Sequence, residues 1–149
     1  MNTPRLRPFA QPDFNAWYSL WRAYQEFYEV ELTRETSEVT WRRMLDPAEP
    51  MHGAFALSDE VPVGLVHYLE HRSCWTVGDN CYLQDLFVVP PQRGKGHGRA
   101  LIEHVYAHAQ ATGCARVWWL THESNQDAML LYDKIADRSG FVQYRKAFP

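Results

Sequence analysis

The chain has 149 residues, enough for one domain with a sizeable core. Apolar residues make up 46% and charged residues 22%, a globular balance, and no run approaches the about 18 apolar residues of a membrane span. A net charge of -3 argues against a broad nucleic-acid surface.

The N-terminus, Met1 to Phe14, is broken by Pro4, Pro8 and Pro12 and lacks the apolar core of a signal peptide, so a cytoplasmic location is expected. Arg5 to Phe9 reads as an edge strand. Pro12 and Asp13 mark a helix start. Phe14, Trp17, Tyr18, Trp21, Tyr24 and Tyr28 then recur at three- and four-residue steps, one wide aromatic face of a helix. Core packing explains that face; the alternative is that its end, Tyr24 to Glu31, borders an acceptor pocket. Ser37 and Glu38 signal a helix cap, with Val39, Trp41 and Leu45 following and Asp46-Pro47 as the stop. Ala54 to Leu57 and Val61 to Leu69 form a hairpin across Ser58-Asp59-Glu60.

Arg72 to Asn80 is turn-like, and Tyr82 to Val89 reads as a buried central strand. Gly98 to Thr112 is a helix, with Leu101, Ile102, Val105 and Ala109 on one face and Gly113 as its stop. Arg116 to Thr121 is another apolar strand, parallel to the first if the crossover is right-handed. Ser124 and Asp127 make a cap-like pair for a helix running to about Ile135, and Phe141 to Lys146 is a last strand. Nothing marks a second domain. Cys74, Cys81 and Cys114, an odd count without a close pair, fit free thiols. His104 and His108 stand four apart, but an exposed helix face explains them better than zinc, and no metal is expected.

The stretch from Pro91 to Leu101 carries the most chemistry. Glycines at 94, 96 and 98 allow positive φ and close backbone approach. The amides of the first helical turn are unpaired and sit at the positive end of the helix dipole, so strand, glycine loop and helix start make an anion site. It is not a P-loop, because Lys95 is followed by Gly96 rather than a hydroxyl residue. It is not a dinucleotide loop, because the sixth place from Gly94 is Arg99. The pattern present is Arg-x-x-Gly-x-Gly: Arg93, Gly96 and Gly98.

That pattern resembles the pyrophosphate loop of the GNAT superfamily of acetyl-CoA-dependent N-acetyltransferases. A second motif is similar to the same family: Asn125, Ala128 and Tyr132, followed by Gly140-Phe141. The two cover roughly Tyr82 to Phe141. Gln84-Asp85-Leu86-Phe87-Val88 with the Trp119 to Asn125 run resembles the subgroup of yeast polyamine- and D-amino-acid-acetylating enzymes. The resemblance implies a single-domain α/β (α+β) fold over residues 1–149, a mixed sheet of six to seven strands with about four helices, and splayed strands at Tyr82-Val89 and Arg116-Thr121. It also implies a homodimer, for which Trp41, Trp75 and Phe148 offer aromatic surface.

Residue roles follow by resemblance. The backbones of Leu86, Phe87 and Val88 face the pantetheine arm. Amides of Arg93, Gly94, Lys95, Gly96, His97, Gly98 and Arg99 hold the pyrophosphate. Asn125 contacts the cofactor arm, Lys134 reaches the nucleotide end, and Tyr132 protonates the leaving thiolate. The chemistry agrees: an oxyanion suits a backbone N–H such as that of Val88, and a thiolate can take a phenol's proton. The attacking amine needs a base, for which Asp85 and Glu123 are the carboxylates, with His122 behind them; burial would disfavour the charged form of Asp85. Tyr24, Tyr28, Gln84 and Asp85 are the candidate acceptor contacts. Ordinary readings stand beside these: Tyr132 as core, Asp85 as a structural hydrogen-bonder, Asn125 as a helix cap. The expected acceptor is a small primary amine, amino-acid or polyamine-like, although Gln84 stands where polyamine-type enzymes often have a second acid. A protein lysine or N-terminus as acceptor, and a non-catalytic acyl-CoA-binding module, are the alternatives.

Overall fold

The computed structural model describes residues 4–149; Met1 to Thr3, the start of the proline-broken N-terminus, lie outside the described residues. The chain divides into two compact units, one ending at Trp119 and one spanning Leu120–Pro149.

The first unit is a five-stranded sheet in the order β1 (Arg5–Pro8), β2 (Met51–Ser58), β3 (Val61–His71), β4 (Asn80–Val88) and β5 (Arg116–Trp118). The first three pairings are antiparallel and β4 with β5 is parallel, as the crossover rule requires. The β2–β3 turn is a tight two-residue loop in which Asp59 and Glu60 both have positive φ. On one face lie α1 (Phe14–Phe27) and α2 (Arg34–Leu45), where Trp17, Trp21 and Trp41 pack with Phe55, Leu65 and Phe87. On the other lies α3 (His97–Ala111), burying Leu101, Ile102, Val105 and Ala109. Gly113 ends α3 as expected: with φ at 77°, it lets the Cys114 N–H reach the Ala109 carbonyl at 2.8 Å.

Several expectations are corrected. Trp41 is core, not surface. Helix α2 is capped by Thr33, whose side chain accepts from the Thr36 N–H; Ser37 sits inside the helix, buried, and accepts the Trp21 indole N–H at 3.1 Å. Strand β5 is shorter than the expected Arg116–Thr121 and pairs with β4 only at Asn80, Cys81 and Tyr82. Beyond Tyr82, β4 runs on to Val88 with no strand partner on that side among the described residues. That is the splay the resemblance implied.

In the second unit α4 spans Gln126–Ile135, with Asn125 rather than Ser124 at its cap position. The expected strand Phe141–Lys146 does not form, so the described residues carry five strands rather than six to seven. Alternation along Phe141-Val142-Gln143-Tyr144 supplies side-chain parity, but a strand also needs a neighbouring backbone to take its hydrogen bonds. No helix of the described residues is long and apolar enough to cross a membrane.

Candidate active site

The site builds up from an irregularity in β4. His67 pairs with Asp85, but Tyr68 pairs with Leu83, which leaves Gln84 as an extra residue in a β-bulge. Strict alternation would put Leu83 and Asp85 on one face. The bulge breaks that parity: Leu83 stays on the α3 face and Asp85 turns to the α1 face, beside His67. Gln84 itself is exposed.

There Asp85 is held by His67. The Trp17 indole N–H, which can only donate, points at His67 Nε2 from 2.9 Å. Nε2 therefore accepts, the imidazole is neutral, and its proton is on Nδ1. That N–H donates to Asp85 Oδ2 at 2.9 Å. The Tyr24 phenol lies close enough to feel the charge of the same carboxylate. Burial first, and then the charge of Asp85, push the Tyr24 phenol far above its ordinary value, so it stays a donor. Tyr28 and Tyr82 are raised by the same two causes in the same order. Asp85 is thus a fixed carboxylate among three phenols, with Tyr82 stacked on Trp118 at 4.1 Å and Tyr24 against Tyr28 at 5.0 Å. One negative charge walled by aromatic rings suits a small cation such as an alkylammonium.

The open edge of β4 supplies a second feature. The Val89 N–H bonds the Val63 carbonyl at 2.9 Å. N–H groups alternate along a strand, so those of Leu86 and Val88 point away from β3, toward the unpaired edge. Phe87, expected to share that role, turns its amide toward β3 and its ring into the core. The Val88 carbonyl accepts the Arg93 Nε–H at 2.9 Å, and the Arg93 guanidinium lies over Phe27 and Phe87. Arg93 thus ties the glycine loop back to the strand.

The loop has the geometry of an anion cradle. Gly94 and Gly96 have φ of 77° and 89°, where glycine is needed. The first bond of the α3 ladder runs from the Ala100 N–H to the Gly96 carbonyl, so the amides of His97, Gly98 and Arg99 precede it. Gly96 caps the helix without a side chain to occupy them. Lys95 and Arg99 are exposed, while the His97 ring is buried beneath the loop. Amides at a helix start fit a diphosphate, and an unpaired strand edge fits an amide-bearing arm; both are parts of coenzyme A.

In the second unit, Asn125 occupies the cap position but does not cap: its Nδ2 donates to Thr121 Oγ1 at 3.2 Å. Ser124 donates to His122 Nδ1, which also accepts the Ser124 N–H. Glu123 and Lys134 are exposed, and Tyr132 is half-buried on α4.

Sequence reading missed His67, Trp17 and Tyr82. A lone histidine within the apolar run Val63 to Leu69 was the available signal, since a buried imidazole must find partners. It also misplaced His104 and His108, which face the sheet: His104 bonds the Tyr68 hydroxyl at 3.3 Å, and His108 bonds Glu70.

Comparison with known proteins agrees with this architecture. Residues 17–136 match the acetyltransferase (GNAT) family. The chain is 38% identical to the D-amino-acid N-acetyltransferase HPA3 of Saccharomyces cerevisiae, over 90% of this chain and 84% of that one. It is 29% identical to the L-ornithine N5-acetyltransferase NATA1 of Arabidopsis thaliana, over 89% of this chain and half of that one. The fold is similar to that of AAC(6')-Iy bound to a CoA-containing bisubstrate analogue, with TM-score 0.85 and 16% identity, over 99% of this chain and 100% of that one. By its matched family, its sequence relatives and its split sheet, the chain belongs to the GNAT family of N-acetyltransferases.

Proposed function

We propose that the protein transfers an acetyl group from acetyl-CoA to the primary amine of a small molecule, an amino acid or a polyamine-like compound, by direct attack. The observation that carries the acceptor side is Asp85, held by His67 and surrounded by three phenols. The named relatives act on D-amino acids and on L-ornithine, which favours an amino-acid acceptor over a polyamine. Gln84 points the same way, since it leaves one acid at the site where a polycation would favour two. The matched residues 17–136 cross the boundary at Trp119, which supports one acetyltransferase domain built from both units.

Acetyl-CoA supplies the acetyl group as a thioester. The amides from Arg93 to Arg99 and the open backbone of Leu86 and Val88 hold the donor, with Asn125 and Lys134 contributing. Asp85 binds the acceptor as its ammonium and takes a proton, leaving a neutral amine to attack. His67 cannot pass that proton inward, because its Nε2 is committed to the Trp17 indole; the proton leaves to solvent. The Val88 N–H faces the oxygen that gains charge. Tyr132 gives the departing thiolate its proton and recovers one from solvent, while the nitrogen sheds its second proton to solvent as the amide forms. Glu123 is the second candidate base, and it is exposed rather than held by a histidine as Asp85 is.

Two variants test the assignment. Asp85→Asn should lower kcat/KM for the amine by about 100-fold or more, in the range of a lost general base. Tyr132→Phe should lower kcat. Both should bind CoA like the parent by calorimetry. Unchanged turnover in either removes that residue from the mechanism. A parent that binds CoA and turns over nothing would instead be an acyl-CoA-binding module.

A further inference from the structure

We infer that His52, Glu70 and His108 form a zinc-binding site on the face of the sheet opposite Asp85. The three residues come from three elements, β2, β3 and α3. Glu70 stands between the two imidazoles and gives one oxygen to each: His52 Nε2 lies 2.8 Å from Oε2, and His108 Nε2 bonds Oε1. One ligand atom from each residue falls within 4.8 Å of the others. The two imidazole rings are 4.6 Å apart, and the Tyr68 ring packs beside both, at 5.2 Å and 5.0 Å.

Two imidazole nitrogens and one carboxylate oxygen are a donor set that zinc takes, with bonds of about 2.0 to 2.2 Å. Ligand atoms around a tetrahedral ion at that distance stand about 3.3 to 3.5 Å apart, inside the 4.8 Å within which the trio's atoms already lie. Each neutral imidazole binds through the Nε2 lone pair, its proton moving to Nδ1. The site is partly exposed, with side-chain exposure of 34% at His52, 23% at His108 and 12% at Glu70. An ion therefore has a way in, and its fourth position is open to water. Asp85 lies across the sheet, so the ion takes no part at that carboxylate. Its effect is mechanical: it clips α3, whose N-terminus carries the glycine loop, to two neighbouring strands. His104 is excluded from the trio by its bond to the Tyr68 hydroxyl.

Metal-free protein titrated with Zn2+ alone should bind one ion per chain and melt at a higher temperature. Titration with Co2+ should give a visible absorption band of nitrogen- and oxygen-bound cobalt. His52→Ala, His108→Ala and Glu70→Gln should each weaken Zn2+ binding by at least about 100-fold, more than the loss of an outer contact usually costs. His122→Ala, which alters an exposed histidine outside the trio, should bind Zn2+ like the parent. Parent protein that binds no stoichiometric Zn2+ overturns the site. So does binding that survives in folded His52→Ala and His108→Ala proteins. If those variants do not fold, the parent's cobalt spectrum decides: a spectrum of hexaaqua Co2+ rejects the site.

Discussion

Trp17 sets the state of the residue that holds Asp85. Its indole N–H is a donor only, and His67 Nε2 is its acceptor in a buried setting. Trp17→Phe keeps an aromatic ring and removes that donor, leaving a buried nitrogen unsatisfied. We expect a loss of about 1 to 3 kcal/mol in denaturant unfolding, together with an altered pH profile of turnover as the imidazole becomes free to change tautomer. A stability and a profile both equal to the parent's would show that the indole does not fix His67. Tyr24 makes a second test. Its folded pKa lies above the ordinary 10.0, so its contribution to stability is complete below about pH 10 and is lost as the pH rises beyond it. Tyr24→Phe should therefore flatten the fall in melting temperature between about pH 9 and pH 11. An unchanged alkaline slope would mean that the phenol does not titrate with folding.

The elements divide into those whose causes are local and those whose causes are not. The glycine loop, the start of α3 and its stop at Gly113 were legible because each depends on residues within one turn. Gly96 can be tested on the same grounds. Its φ is 89°, and among the described residues a methyl group added there would meet only Pro4, at 3.7 Å, so Gly96→Ala carries a backbone cost rather than a clash. It should lose about 1 to 3 kcal/mol and bind CoA more weakly, measured by thermal melting and calorimetry. A variant as stable and as tight as the parent would show that the loop does not depend on its left-handed turn. The Asp85 constellation was only half legible. Asp85, Tyr24 and Tyr28 could be picked out as chemistry-bearing residues, but their meeting depends on the bulge at Gln84, and a bulge is a relation between β3 and β4. The same holds for His67, and for His108, whose partners come from β2 and β3. The Phe141–Lys146 segment failed in the opposite way: its local pattern is strand-like, and among the described residues it pairs with no strand.

At the scale of the molecule, one sheet separates two kinds of chemistry. The α1 face holds the carboxylate and its tyrosines; the α3 face carries the His52, Glu70 and His108 trio. In the proposed function the donor is gripped at the start of α3 and along the unpaired edge of β4, and the choice of acceptor rests on the cluster around Asp85. The central claim is that this cluster receives a small amine for acetylation. The most direct test is CoA release by purified protein given acetyl-CoA and a panel of D-amino acids, L-ornithine, polyamines and aminated sugars, with products weighed by mass spectrometry. We predict turnover with amino-acid acceptors, a product heavier by one acetyl group on an amine, and loss of that turnover in Asp85→Asn. Absence of any acetylated small amine across the panel, or full activity in Asp85→Asn, would contradict it.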